Sequence, residues 1–171
     1  MMAEIYGSRL YTVARMNGHA IAGGCVLAMA ADYRIALSES KVGLTEAALG
    51  MTLPWWIERM VREQVGSRTC QRWVSLALVE KAAAAERAGF VDEIVTTEEE
   101  LDAAVSADVA RSLLVPQAAR AANKIQTRSS LLNGMSISLD KDVEDFGLQI
   151  TRPELQDAIE KYIQSIKKIK N

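Results

Sequence analysis

The sequence predicts an α/β protein in which strands and short helices over about residues 1–53 precede a mostly helical segment over about residues 54–171. Short runs rich in β-branched and aromatic residues occur early in the chain. An uncharged, glycine- and alanine-rich run over residues 23–31 separates these runs. From Pro54 onward, apolar residues recur at the spacing of amphipathic helices.

The first segment is predicted to alternate strands with short helices. Strands are predicted at residues 10–16, 32–37 and 41–44. Asn17 and Gly18 end the first strand, and the uncharged run that starts at Gly23 predicts a buried helix. A short helix over residues 46–49 is expected to be capped by Thr45 or a neighbour and ended by Gly50. These strands are too few to close a sheet, so unpaired edges are expected.

The second segment is predicted to be helical with one strand. Pro54 is suited to a helix start and Gly66 to its end. Thr97 followed by Glu100 is the pattern of a capping box, which predicts a helix that runs to about residue 114. Further helices are predicted over about residues 68–78, 80–88, 116–132, 139–150 and 155–169, and a strand over 91–95.

Composition narrows the class of protein. The net charge of −2 does not favour a nucleic-acid partner. One histidine, His19, and two cysteines without CxxC spacing offer no pattern for a metal site. We expect Cys25 and Cys70 to be reduced, buried thiols of an intracellular protein. No stretch reaches the roughly 18 apolar residues of a membrane span, and neither a secretory signal nor a peroxisomal carboxyl-terminal tripeptide is present.

Residues 17–25, Asn-Gly-His-Ala-Ile-Ala-Gly-Gly-Cys, carry a strand end, a turn and two glycines that open a helix. The first N–H groups of a helix lack intrahelical partners, and the helix dipole is positive there. Such a helix start can stabilise a developing oxyanion, by about 3 kcal/mol for each donor. The alternative is that the glycines only permit close contact between helix and strand.

Residues 43–50, Gly-Leu-Thr-Glu-Ala-Ala-Leu-Gly, place one carboxylate, Glu46, in the first turn of a short helix among apolar neighbours. The glutamate is either a stabilising charge at a helix start or, if it lines an apolar pocket, a general base. Between the two motifs, residues 32–36 read Asp-Tyr-Arg-Ile-Ala, which alone indicates a strand with a capping aspartate.

The three motifs in this order, with Ala-Gly-Phe-Val-Asp-Glu-Ile-Val at residues 88–95, resemble the crotonase (enoyl-CoA hydratase/isomerase) superfamily over almost the whole chain. Within it, Ala22-Gly-Gly-Cys25, Asp32-Tyr-Arg-Ile35, Gly43-Leu-Thr-Glu46 and Pro54-Trp-Trp56 resemble the mitochondrial-type Δ3,Δ2-enoyl-CoA isomerases. The resemblance implies the last turns of a crotonase-like ββα spiral over residues 1–53, followed by a carboxyl-terminal helical region that ends in trimerisation helices.

The resemblance also implies a chemistry. Family hydratases hold a water between two glutamates, the first of which corresponds to Val26 here and the second to Glu46. Valine cannot exchange a proton, so the resemblance favours a single-base proton shift from C2 to C4 of a 3-enoyl-CoA in fatty-acid β-oxidation. No cofactor is implied, because coenzyme A is part of the substrate. Hydration of a 2-enoyl-CoA and a truncated, non-catalytic assembly subunit remain alternatives.

Carried over residue by residue, the resemblance makes Glu46 the base and the backbone N–H of Gly23 an oxyanion donor. Ala22 stands where the family usually has a first glycine. The candidate substrate-binding residues, which could equally be ordinary core, are Ala22, Val26, Leu49, Leu53, Trp55, Trp56 and Phe146. His19 and Cys25 are not expected to be catalytic. In relatives, the region of Phe146, Lys161, Lys167 and Lys168 can reach CoA on a neighbouring subunit.

The family normally has an amino-terminal half before the point where this chain begins, and that half supplies most of the spiral and the second oxyanion donor. Its absence leads us to expect a longer native protein. The resemblance also implies a homo-oligomer, a trimer or a pair of trimers, in the mitochondrial matrix, with a peroxisomal or cytoplasmic location as the alternative.

Overall fold

The computed structural model describes residues 2–169, with side chains as far as residue 164. In chain order the elements are α1 (Met2–Tyr6), β1 (Val13–Met16), β2 (Ala20–Ile21), α2 (Gly23–Met29), β3 (Tyr33–Leu37), β4 (Lys41–Gly43), a 3-10 helix (Glu46–Leu49), α3 (Trp55–Ser75), β5 (Val79–Lys81), α4 (Ala82–Arg87), β6 (Glu93–Val95), α5 (Glu98–Leu113), α6 (Gln117–Ile150) and α7 (Pro153–Ile169). No helix within residues 2–169 is both long and apolar enough to cross a membrane.

The strands form two small sheets, and the first four strands alternate between them. One sheet has the order β1-β3-β6 and is parallel throughout, and the other has the order β2-β4-β5. In the second sheet, β2 and β4 are parallel and β4 and β5 are antiparallel. The chain therefore repeats a strand-strand-helix unit, in which the first strand enters one sheet and the second strand enters the other. Two such units, β1-β2-α2 and β3-β4 with the 3-10 helix and α3, confirm the predicted turns of a spiral.

The core lies between the sheets and the helices that follow them. Its largest fully buried side chains include Phe90, Met29, Ile35, Leu44 and Met60. The face of α2 that carries Cys25, Val26, Ala28 and Met29 belongs to this core, whereas Gly23, Gly24 and Leu27 are exposed. The prediction of a buried helix therefore holds for only one face of α2.

A largely buried ionic cluster connects helix α6 to the start of β3. Asp32 Oδ2 lies 2.6 Å from Lys124 Nζ, and Asp32 Oδ1 lies 2.9 Å from Arg128 Nη2. The backbone N–H of Thr12 also donates to Asp32 Oδ2, at 2.8 Å. The Arg128 guanidinium lies 4.3 Å from the ring centroid of Tyr6, so the same residue also holds helix α1.

Several predicted boundaries differ from the structure. Glu80 and Lys81, predicted within a helix, belong to strand β5 because Val79–Lys81 pairs with β4. The two helices predicted over 116–132 and 139–150 form one helix, α6. Strand β2 and helix α1 were not predicted. The side chain of Thr45 makes no capping hydrogen bond, whereas the Thr97–Glu100 capping box is present.

Candidate active site

Two parallel strands bring the glycine motif and Glu46 to one edge of a sheet. Strands β2 and β4 are paired with Ile21 opposite Gly43, and the N–H of Ala22 donates to the carbonyl of Gly43 at 2.8 Å. Helix α2 follows β2, and the 3-10 helix that starts with Glu46 follows β4. Parallel strands end on the same side, so the start of α2 and Glu46 leave the sheet together.

Glu46 lies half-buried at the start of the 3-10 helix. Its Oε2 atom is buried and has no hydrogen-bond partner within the described part of the chain. A cavity of about 320 Å³ contains Glu46 and is lined by Leu44, Glu46, Ala47, Met51, Thr52, Leu53, Glu58, Val74 and Ser75. A buried polar atom without a partner is costly, so this carboxylate oxygen has an unused capacity to accept a hydrogen bond.

The start of α2 is open. Gly23 and Gly24 are exposed, and no atom lies within 4 Å of the position that a Cβ would take on either residue. The N–H of Val26 donates to the carbonyl of Ala22 at 3.0 Å, which is the helical i to i−4 bond. The N–H groups of Gly23 and Gly24 precede this first bond, so the helix itself supplies no acceptor for them.

Ala22 has a backbone conformation that L-residues seldom adopt, with φ 54° and ψ −122°. Glycine is the residue that enters this region without steric cost. The conformation turns the chain from β2 into α2, and the Ala22 N–H is used in the bond to Gly43. The N–H of Gly23, the next along the chain, is therefore the first available donor, which is the atom that the sequence analysis selected.

Cys25 and Val26 face the protein interior beside this edge. Both belong to the buried core, with Cys25 fully buried. Burial raises the pKa of the Cys25 thiol to about 12. A hydrogen bond with the Gly43 backbone lowers this pKa, and the negative charge of Glu46 raises it. This thiol stays protonated at neutral pH, as expected of a packing residue. Val26 carries no polar side-chain group and does not line the cavity of Glu46.

The remaining residues predicted to bind substrate lie in three different places. Leu53 lines the cavity of Glu46, and Leu49 is half-buried on the same 3-10 helix. Trp56 and Phe146 lie together in a different, largely apolar groove of about 610 Å³ between α1, α3 and α6. Trp55 lies against α6 and donates from Nε1 to Ser138 Oγ at 2.9 Å. The structure thus brings Leu53, but not Trp55, Trp56 or Phe146, into the cavity with Glu46.

The lysines assigned to CoA are only partly described. Lys161 is exposed on α7, and the side chains of Lys167 and Lys168 lie outside the described residues. His19 is exposed in the turn before β2 and lines a groove along β1 and α2. It does not line the cavity of Glu46.

The sequence analysis selected only Glu46 and Leu53 among the residues that line this cavity, and two of the polar residues that it missed are informative. Glu58 and Thr52 both line it. Glu58 pairs with Arg62 four residues later on α3, a pattern that in sequence indicates an ordinary exposed helix pair. Thr52 donates from its backbone N–H and its hydroxyl to Gln149 Oε1, at 2.8 and 2.9 Å. No local sequence pattern signals a contact across 97 residues.

Comparisons with known proteins agree with this architecture. The family profile described as enoyl-CoA hydratase/isomerase matches residues 1–167. The chain is 31% identical over 169 residues to human "Enoyl-CoA delta isomerase 1, mitochondrial", across 98% of this chain and 56% of that protein. It is 31% identical over 137 residues to "Crotonyl-CoA hydratase" of Syntrophomonas wolfei, across 80% of this chain and 46% of that protein.

The solved structure of human mitochondrial delta3-delta2-enoyl-CoA isomerase superposes with a TM-score of 0.95 at 29% identity, over 99% of this chain and 66% of that one. The chain spans little more than half the length of the human isomerase that it matches in sequence. The family profile covers nearly all of the chain, and the fold superposes on that of a solved relative. The chain therefore belongs to the enoyl-CoA hydratase/isomerase family, the crotonases.

Proposed function

We propose that the chain carries the catalytic base of a Δ3,Δ2-enoyl-CoA isomerase. The observation that carries this proposal is that Glu46 lines a mostly apolar cavity and has a buried Oε2 without a hydrogen-bond partner in the described part of the chain. Sequence similarity to a delta isomerase over 98% of the chain supports the same reaction. The apolar residues around the carboxylate would exclude competing water from the reacting carbons.

In the proposed reaction, Glu46 removes a proton from C2 of a 3-enoyl-CoA and returns it to C4. The C2–H bond breaks, the double bond moves from C3–C4 to C2–C3, and the C4–H bond forms. The thioester oxygen carries the negative charge of the dienolate between these steps. The N–H of Gly23 would donate to that oxygen. One carboxylate gives and receives the same proton, so the reaction needs no cofactor.

The test is replacement of the base. Glu46→Gln removes the proton acceptor and retains the shape of the side chain, so isomerisation of 3-hexenoyl-CoA should fall by about a thousandfold. Glu39→Gln is the matched control, because Glu39 is exposed in the turn between β3 and β4 and lines no part of the cavity. Retention of most activity by Glu46→Gln would exclude the single-base mechanism.

Hydration of a 2-enoyl-CoA is the second candidate. It is favoured by the similarity to a crotonyl-CoA hydratase and by the presence of a second carboxylate, Glu58, in the cavity. It is disfavoured by Val26, which stands where family hydratases carry their first glutamate and is buried in the core. Hydration of crotonyl-CoA at a rate that equals isomerisation of 3-hexenoyl-CoA would make this the better description.

We further propose, from the similarity to isomerases whose names include "mitochondrial", that the protein acts in the mitochondrial matrix, with the peroxisome or cytoplasm as alternatives. From the resemblance to the crotonase family we also propose a trimer or hexamer. Exposed apolar residues on α6 and α7, among them Ile137, Leu148 and Ile163, support self-association. Light scattering at several protein concentrations measures the assembly.

A further inference from the structure

Glu58 is the second charged side chain of the cavity that holds Glu46. It lies in the first turn of α3, on a different element from the base. The rest of the lining is mainly apolar, contributed by Leu44, Ala47, Met51, Leu53 and Val74. A carboxylate in such a lining needs partners, because an uncompensated charge beside apolar groups is strongly disfavoured.

The partners of Glu58 hold one of its two oxygens. Oε1 accepts from Arg62 Nε at 2.8 Å, from Arg62 Nη2, and from the thiol of Cys70 at 3.6 Å. Burial raises the pKa of the Cys70 thiol to about 11, and the charge of Glu58 adds to this effect, so the thiol remains a donor. The Glu58 carboxylate is thereby fixed in place, and Arg62 balances its charge.

Water still reaches this pair. The side chains of Glu58 and Arg62 retain 34% and 42% of their accessible surface, whereas Glu46 Oε2 is buried. The cavity therefore combines an apolar lining around the base with a hydrated ion pair. An alkyl chain that lies against the ion pair must displace its water and can offer no hydrogen bond in return.

The path of an acyl chain follows from the proposed function, on which this inference rests. One carboxylate that reaches both C2 and C4 must lie alongside these carbons, so C5 and the carbons after it occupy the space next to Glu46. That space is the cavity that Glu58 also lines. A short chain gains contact with the apolar lining, and a longer chain reaches the hydrated pair.

We propose that Glu58, fixed by Arg62, determines acyl-chain length, so that the site selects short-chain over long-chain enoyl-CoA thioesters. Glu58 is a specificity-determining residue in this assignment and takes no part in the proton transfer. The substrate class of the isomerase is therefore the short unsaturated acyl-CoA thioesters.

The test compares a short and a long ligand. Dissociation constants for hexanoyl-CoA and dodecanoyl-CoA are measured by titration calorimetry, and turnover is measured with 3-hexenoyl-CoA and 3-dodecenoyl-CoA. Glu58→Met replaces the carboxylate by an apolar chain of similar length and should shift the preference toward the long ligand by about tenfold. Glu58→Gln keeps the shape and polarity of the side chain and should shift the preference in the same direction by less.

Glu63→Met is the matched control. Glu63 lies on the same helix and pairs with Arg59 at 3.0 Å with the same four-residue spacing, but it does not line the cavity. Its replacement should leave the ratio of the two affinities unchanged. Circular dichroism of each variant verifies that α3 is intact, and Glu58→Gln provides the measurement if Glu58→Met does not fold.

The outcomes separate this inference from the proposed function. A Glu58-dependent chain-length preference in binding, without turnover by the unaltered protein, would support the inference and refute the isomerase. If the unaltered protein turns over its substrates, and the preference between the short and the long ligand is the same in this protein and in both Glu58 variants, the inference is refuted and the isomerase is supported. Failure of the unaltered protein to bind either thioester would overturn both.

Discussion

Ala22 offers a test of whether the turn into the candidate site stores strain. Its φ of 54° and ψ of −122° lie where glycine is favoured, and the flanking hydrogen bonds, from Ala22 N–H to Gly43 and from Val26 N–H to Ala22, hold it there. Replacing Ala22 by glycine removes the Cβ that conflicts with this conformation. Both hydrogen bonds use backbone atoms, so the substitution leaves them intact.

The expected gain is the difference between two opposing effects. A non-glycine residue in a sparsely populated region costs about 1–3 kcal/mol in the folded state. A glycine costs about 0.4–1 kcal/mol because it makes the unfolded chain more flexible. Ala22→Gly should therefore raise the free energy of unfolding by about 1 kcal/mol, which corresponds to a rise in Tm of about 2–4 °C for a chain of this size.

Urea denaturation followed by circular dichroism measures this change. Ala83→Gly is the matched control, because Ala83 is an exposed residue inside helix α4, where glycine should lower the free energy of unfolding by about 1 kcal/mol. The two substitutions have the same chemistry and opposite expected signs. Equal destabilisation by both would refute the view that the backbone at Ala22 is strained.

Three further predictions concern other parts of the chain. Ala77, at φ 49° after helix α3, occupies the position at which helices commonly end in glycine, so Ala77→Gly should raise Tm by about 2 °C in the same denaturation assay. Asp32→Asn leaves Lys124 and Arg128 without their countercharge, and urea titration should record a loss of about 3 kcal/mol; an unchanged midpoint would show that the cluster is not stabilising. The pKa of Cys25 lies at about 12 in the fold, above its value in the unfolded chain, so the native state retains a proton that the unfolded chain releases. Stability should therefore fall as the pH rises from about 9 toward 11, and a Cys25→Ala variant should show a weaker fall.

Features governed by a single residue's backbone could be predicted from the sequence. Gly50, at φ 80°, ends the 3-10 helix of Glu46, and Gly66, at φ 77°, interrupts α3 where the sequence analysis ended one helix and began the next. The Thr97–Glu100 capping box formed as its pattern indicated. In each case the information lies within four residues, so no tertiary contact was needed to read it.

Features decided by distant contacts could not be predicted. Helix α6 continues through Gly134 rather than ending near residue 132, and the Trp55 ring lies where a Cβ on Gly134 would be. This glycine makes room for an indole and does not end a helix. Strand β5 contains Glu80 and Lys81, which have helical propensity, and its pairing with β4 overrides that preference.

The same distinction applies to the candidate site. Glu46 and Gly23 could be selected because short motifs with known local geometry surround them, and their shared sheet edge follows from the pairing of β2 and β4. The lining of the cavity could not be predicted, because it combines residues from the 3-10 helix, the loop after it and both ends of α3. Spacing in sequence does not report which side chains of those elements face one another.

Helix α6 joins two features that are far apart in the fold. Near its start, Lys124 and Arg128 are bound to Asp32, and near its end Gln149 accepts two hydrogen bonds from Thr52 in the cavity that holds Glu46. The 25 residues between Lys124 and Gln149 span about 37 Å of helix. If the helix moves as a rigid body, a tilt of about 3° at the Asp32 cluster displaces its far end by about 2 Å. We therefore expect the width of the cavity to depend partly on an ion pair that no ligand in that cavity would touch.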